Sequence, residues 1–134
     1  MNNLQIIQPV TGQYDDKTLR VLTELISEIY LQSEGIIWPT DGSYFRISLS
    51  QLKELIDLGQ LRFAILDNEI IGVIKVLLKN TDTAAFGLLA VDPQYRKLKV
   101  GSRLIETAEK WALNKGCKWM ELELLTPNEV ILPD

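Results

Sequence analysis

The chain has 134 residues, 46% of them hydrophobic and 24% charged, and carries a formal net charge of −4. That is the size of one domain around one core, so a single globular domain over 1–134 is expected, with no segment of disordered composition. An acidic chain lacks the broad positive field that nucleic acid or an anionic membrane would need, and the absence of histidine excludes His-based triads and most zinc sites, so no metal is expected.

The opening MNNLQIIQPV has no basic region leading into a long apolar run, and no stretch approaches the roughly 18 apolar residues of a membrane span. Together with a lone cysteine, Cys117, which cannot form an internal disulfide, this predicts a cytoplasmic protein. Cys117 itself reads as a small buried residue. Residues 4–10 read as a short strand ended by Pro9. Over 15–33 Leu19, Leu22, Leu25, Ile26 and Ile29 recur at helical spacing, behind acids placed where the helix dipole favours them. Residues 34–46 hold Gly35, Pro39, Gly42 and three aromatics, which predicts a loop. SLSQLKELIDLG predicts a second helix, capped by Ser48 or Ser50 and closed by Gly59.

The period then changes. LRFAILD and EIIGVIKVLLK, divided by a short polar turn, predict an antiparallel hairpin, and AAFGLLAVD (84–92) a further strand in which Gly87 marks a bulge or a close backbone approach. Residues 100–116 give the strongest helix, with Leu104, Ile105, Ala108, Trp111 and Ala112 on one stripe and Gly116 at the cap. CKWMELELL (117–125) alternates as a strand does. The order strand, helix, helix, three strands, helix, strand predicts an α/β or α+β domain with a mixed sheet.

Between the strand at 84–92 and the helix at 100 lies DPQYRKLKVGSRLI, with Arg96, Lys97, Lys99 and Arg103 around Gly101 and no acid between Asp92 and Glu106. A helix start offers unpartnered N–H groups and partial positive charge, and four cations in eight residues add a field suited to a polyanionic ligand. The P-loop is excluded because no Gly-Lys pair occurs, and the dinucleotide fingerprint because its three spaced glycines are absent.

The stretch GLLAVDPQYRKLKVGSRLIETAEKWA resembles the acetyl-CoA signature of the GNAT superfamily: an apolar strand ending in Val-x-Pro, then Arg/Gln-x-x-Gly-x-Gly/Ala opening a helix. Arg96 matches the first position of that loop and Gly101 the last. Lys99 stands where the first motif glycine usually is, and Lys97 where many members carry another. The element order from residue 4 to 125 is also similar, so the resemblance implies a GNAT-like acyltransferase fold over nearly the whole chain. It further implies that backbone groups of Leu89, Ala90 and Val91 pair with the pantetheine arm of acetyl-CoA. The pyrophosphate would be held beside Arg96, by the amides of Lys97, Leu98, Lys99, Val100, Gly101 and Ser102. The implied reaction is transfer of an acetyl group to a primary amine of a small molecule or peptide.

Superfamily members usually continue past the fifth strand with a helix, often carrying a tyrosine acid, and two more strands. The sequence here runs out at LLTPNEVILPD, which predicts a short C-terminus or completion by another chain. The apolar edge WMELELL (119–125) then predicts a homodimer or a strand exchange. No general base is assigned; Asp92, Glu121 and Glu123 are the carboxylates to consider. Asn128 falls near a cofactor-contacting asparagine of the superfamily, and Trp38, Tyr44 and Arg46 lie in the region that borders its acceptor pocket. Two other readings stay open: a non-catalytic acyl-CoA-binding or regulatory module, and an interaction module that dimerises through the open sheet edge.

Overall fold

The computed structural model describes residues 3–34 and 47–122. Five strands, β1 (Gln5–Ile7), β2 (Leu61–Leu66), β3 (Glu69–Leu78), β4 (Thr83–Val91) and β5 (Trp119–Leu122), form one mixed sheet in sequence order. The first four are antiparallel, and β5 runs parallel to β4. A two-residue turn joins β2 to β3, with Asp67 and Asn68 both at positive φ (51° and 67°), the geometry whose twist suits a tight hairpin. The parallel return from β4 to β5 requires a crossover, which α3 (Val100–Asn114) supplies. The first strand is shorter than its apolar run, because only Gln5, Ile6 and Ile7 pair with β2. Pro9, which has no N–H to give a ladder, lies beyond it.

Alternation along the central strands divides the core in two. Phe63 of β2 and Val73 of β3 join Ala90 of β4 against Leu19, Leu22, Ile26 and Ile29 of α1 (Asp16–Glu34) and Leu52 and Ile56 of α2 (Leu49–Asp57). Their neighbours Ala64, Ile74 and Val76 pack instead against Val100, Leu104 and Ala108 of α3. Burying each of these large side chains is worth about 1.5–3 kcal/mol, so the two apolar helix faces hold the layers to the sheet. Trp111 lies half-buried at the edge of the α3 cluster, while Cys117 is buried beside Ala84 and Ala112.

Local chemistry fixes the helix ends. Ser48 is the cap of α2: its Oγ accepts from Gln51 N–H at 3.1 Å, and Gln51 Oε1 accepts from Ser48 N–H at 2.9 Å. At the start of α1, Asp15 Oδ1 accepts from Thr18 N–H at 2.8 Å.

The bulge expected at Gly87 falls one residue later. Lys75 pairs with Gly87 and Val73 with Ala90, so Ile74 alone stands opposite Leu88 and Leu89. Leu88 takes the left-handed conformation, at φ 50°, and packs against the α1/α2 core. Tertiary packing, rather than the nearby glycine, decides which residue bends.

Candidate functional site

The site forms at the end of β4, where the chain turns into α3. β5 pairs with β4 only from Thr83 to Phe86, so among the described residues β4 has no partner on that side from Gly87 onward. The chain then enters a 3-10 turn, Pro93–Leu98, whose cap is Asp92: its Oδ1 accepts from Gln94 N–H at 3.0 Å and its carbonyl from Tyr95 N–H at 2.9 Å. Lys99 ends this turn and begins α3 in one residue, at φ 58° and ψ 35°. The Lys99 side chain makes no cap bond to α3, and among the described residues no side chain bonds the first-turn N–H groups of Val100, Gly101 and Ser102.

A cavity of about 420 Å³ connects these features. One wall is apolar, made by Ile29 of α1 and by Leu89, Ala90 and Val91 of β4. The rest of the lining is polar and positively charged, made by Arg96, Lys99, Gly101 and Ser102. Among the described residues, a Cβ added to Gly101 would meet only Val91 Cγ2, at 3.8 Å, so no atom of theirs demands a glycine there. The room beside its backbone is available to a ligand. From α1, Tyr30 Oη donates to the Leu89 carbonyl at 3.2 Å, tying the helix to the apolar wall.

The structure thus brings together seven of the ten residues for which the sequence implied cofactor contact: Leu89, Ala90, Val91, Arg96, Lys99, Gly101 and Ser102. Lys97 and Leu98 are exposed on the 3-10 turn and do not line the cavity, and the Val100 side chain is fully buried in the α3 core. Ile29 was missed, because its spacing is that of the core stripe and only the end of α1 beside β4 distinguishes it. Of the candidate carboxylates, Asp92 is occupied as a cap, and Glu121 is exposed on β5, paired with Lys79 Nζ at 3.0 Å. Trp38, Tyr44, Arg46, Glu123 and Asn128 lie outside the described residues.

A second cavity, of about 210 Å³, lies at the other end of α1 around Tyr14. Its polar groups bond one another: Lys53 Nζ to Asp16 at 3.0 Å and Thr11 Oγ1 to Asp57 at 2.6 Å. Burial pushes the Tyr14 hydroxyl pKa up. Among the described residues no group of acids, cysteine or histidine could hold a metal ion, and no helix is long and apolar enough to cross a membrane.

Among solved structures, the chain is similar to the PaiA N-acetyltransferase of Thermoplasma acidophilum in complex with coenzyme A (23% identity, 96% of this chain and 83% of that one, TM-score 0.72). It is also similar to a GNAT-family acetyltransferase from Staphylococcus aureus (20% identity, 92% and 75%, TM-score 0.67). A third likeness is to a GNAT-family acetyltransferase from Streptococcus pneumoniae (17% identity, 96% and 78%, TM-score 0.64). At these identities the likeness is one of fold: the mixed sheet described above is that of the acyltransferases. No curated protein sequence matches the chain. Its own sequence matches the model of the acetyltransferase (GNAT) family over residues 22–131, most of its length. The chain belongs to the GNAT acetyltransferase family.

Proposed function

We propose that the cavity between β4 and α3 holds acetyl-CoA, and that this acetyltransferase passes the acetyl group to a primary amine of a small molecule or peptide. The observation that carries the reading is the cavity itself, which joins a length of β4, paired among the described residues on its β3 side only, to a cationic helix start whose N-cap residue makes no side-chain cap bond. The pantetheine arm is an extended amide chain, and β4 along Leu89, Ala90 and Val91 offers it strand backbone on the side away from β3, where no partner lies among the described residues. The pyrophosphate suits the first-turn amides of α3, with Arg96 and Lys99 adding charge.

In the reaction the amine nitrogen attacks the thioester carbonyl carbon. A C–N bond forms, the C–S bond breaks, the acceptor nitrogen loses a proton and the CoA thiolate takes one up. Catalysis then comes mainly from holding the two reactants together and from backbone donors aimed at the carbonyl oxygen. One observation favours the non-catalytic acyl-CoA-binding module instead: among the described residues no carboxylate lines the cavity to accept the amine proton.

Calorimetry with acetyl-CoA tests the cofactor claim, and absence of heat at millimolar ligand would sink both readings. Thiol release across a panel of amines then separates enzyme from binding module. A cytoplasmic single-domain homodimer belongs to the same proposal. It is supported by β5, where Trp119 and Leu122 are 67% and 57% exposed and pairing among the described residues is with β4 alone. A monomer in sedimentation at high micromolar concentration would refute the dimer.

A further inference from the structure

Leu88 occupies a conformation that glycine takes freely and leucine does not, in the bulge that sits beside the cavity wall. Such a conformation persists only where its surroundings over-determine it. Both residues of this bulge are held from the α1 side of the sheet. The Leu88 side chain packs into the core that α1 and α2 share with the sheet, and Tyr30 Oη of α1 donates to the Leu89 carbonyl at 3.2 Å. Ile29, the residue before that tyrosine, lines the cavity.

We propose that Tyr30 is a positioning residue for acetyl transfer, acting through its hydrogen bond to the Leu89 carbonyl. The Leu89–Ala90 peptide unit is planar and trans, so its carbonyl turns toward Tyr30 while its N–H turns the opposite way, to the Val73 pair of β3, and the hydrogen bond from Tyr30 holds the plane from the side that the ladder leaves open. Leu89 and Ala90 belong to the wall along which the pantetheine arm lies in the acetyl-CoA reading above, on which this inference rests. Tyr30 therefore sets the direction of the wall's backbone groups. The same bond joins that wall to α1.

The test is Tyr30→Phe, which keeps the ring and removes only the hydroxyl. Amide hydrogen exchange should accelerate about three- to tenfold at residues 88–91, matching the loss of one hydrogen bond, and stay unchanged in β2 and the far half of β3. The Kd for CoA should change less than about twofold, because the phosphate end is untouched, while kcat for acetyl transfer falls about tenfold. Unchanged exchange at 88–91, a uniform rise across the sheet, or parallel losses in Kd and kcat would each overturn the proposal. If the wild-type protein binds no acetyl-CoA, the cofactor reading fails. The exchange experiment, which needs no ligand, would still decide whether Tyr30 holds the bulge.

Discussion

Lys99→Gly should move stability and binding in opposite directions. Lys99 is held at φ 58° where the 3-10 turn becomes α3, a left-handed conformation costing a residue with a Cβ about 1–2 kcal/mol. Glycine removes that strain but returns about 0.4–1 kcal/mol of conformational entropy to the unfolded chain. The net gain is about 0.5–1 kcal/mol, a rise in Tm of about 2–5 °C for a chain of this size. Lys99 also lines the polar end of the cavity. A cation and a phosphate about 4 Å apart in water attract by about 1 kcal/mol, so removing this charge should weaken CoA about fivefold. That loss should shrink as salt is raised. Thermal melts and calorimetric titration with CoA at two salt concentrations measure both effects. A variant that melts below the wild type would refute the strain argument, and one that binds CoA equally well at low salt would remove Lys99 from the phosphate site.

Other perturbations separate neighbours that look alike in sequence. Arg96→Ala should weaken CoA about tenfold and Lys97→Ala about twofold or less, because only the first lines the cavity; calorimetry that ranks them the other way would show the phosphates misplaced. Gly72→Ala places a Cβ 3.2 Å from Leu104 Cδ1 and Val100 Cγ1 and 3.3 Å from the Ala90 carbonyl oxygen. That carbonyl cannot yield without moving β4, so denaturant unfolding should show a loss of about 1–3 kcal/mol, with weaker CoA binding as the α3 start shifts. The Thr18 hydroxyl, then the Thr18 amide, hold the Asp15 carboxyl below its ordinary value of 3.8. Its folded pKa lies below the unfolded one, so its stabilisation is complete above that ordinary value and disappears as pH falls through the folded pKa. Asp15→Ala should therefore be less stable than wild type at neutral pH and approach it in strong acid, as acid melts will show.

The element order, and the strand-to-helix junction at which the candidate site lies, were legible in the sequence because their signals are local. Helical spacing gives α1 and α3, and the Val-x-Pro strand with its cationic loop lies within about twenty residues. What escaped depends on partners far along the chain. Gly87 advertises a bulge, but Leu88 makes it, because its side chain is received by helices more than thirty residues earlier. Lys97 and Lys99 have the same charge, yet the left-handed turn at 99 leaves only the second in the cavity lining. Glu121 alternates as a possible active-site carboxylate, but Lys79 holds it at 3.0 Å on the sheet edge. Ile29 and Tyr30 carry no signal of their own, because a helix stripe does not say which of its members will reach β4.

The central claim is that acetyl-CoA lies between the C-terminal end of β4 and the start of α3. Electron density from crystals soaked with CoA tests it most directly. The predicted result is an extended pantetheine arm alongside Leu89, Ala90 and Val91, with the pyrophosphate within hydrogen-bonding distance of the Gly101 and Ser102 amides. Cofactor bound elsewhere, or an empty cleft at saturating CoA, would contradict it.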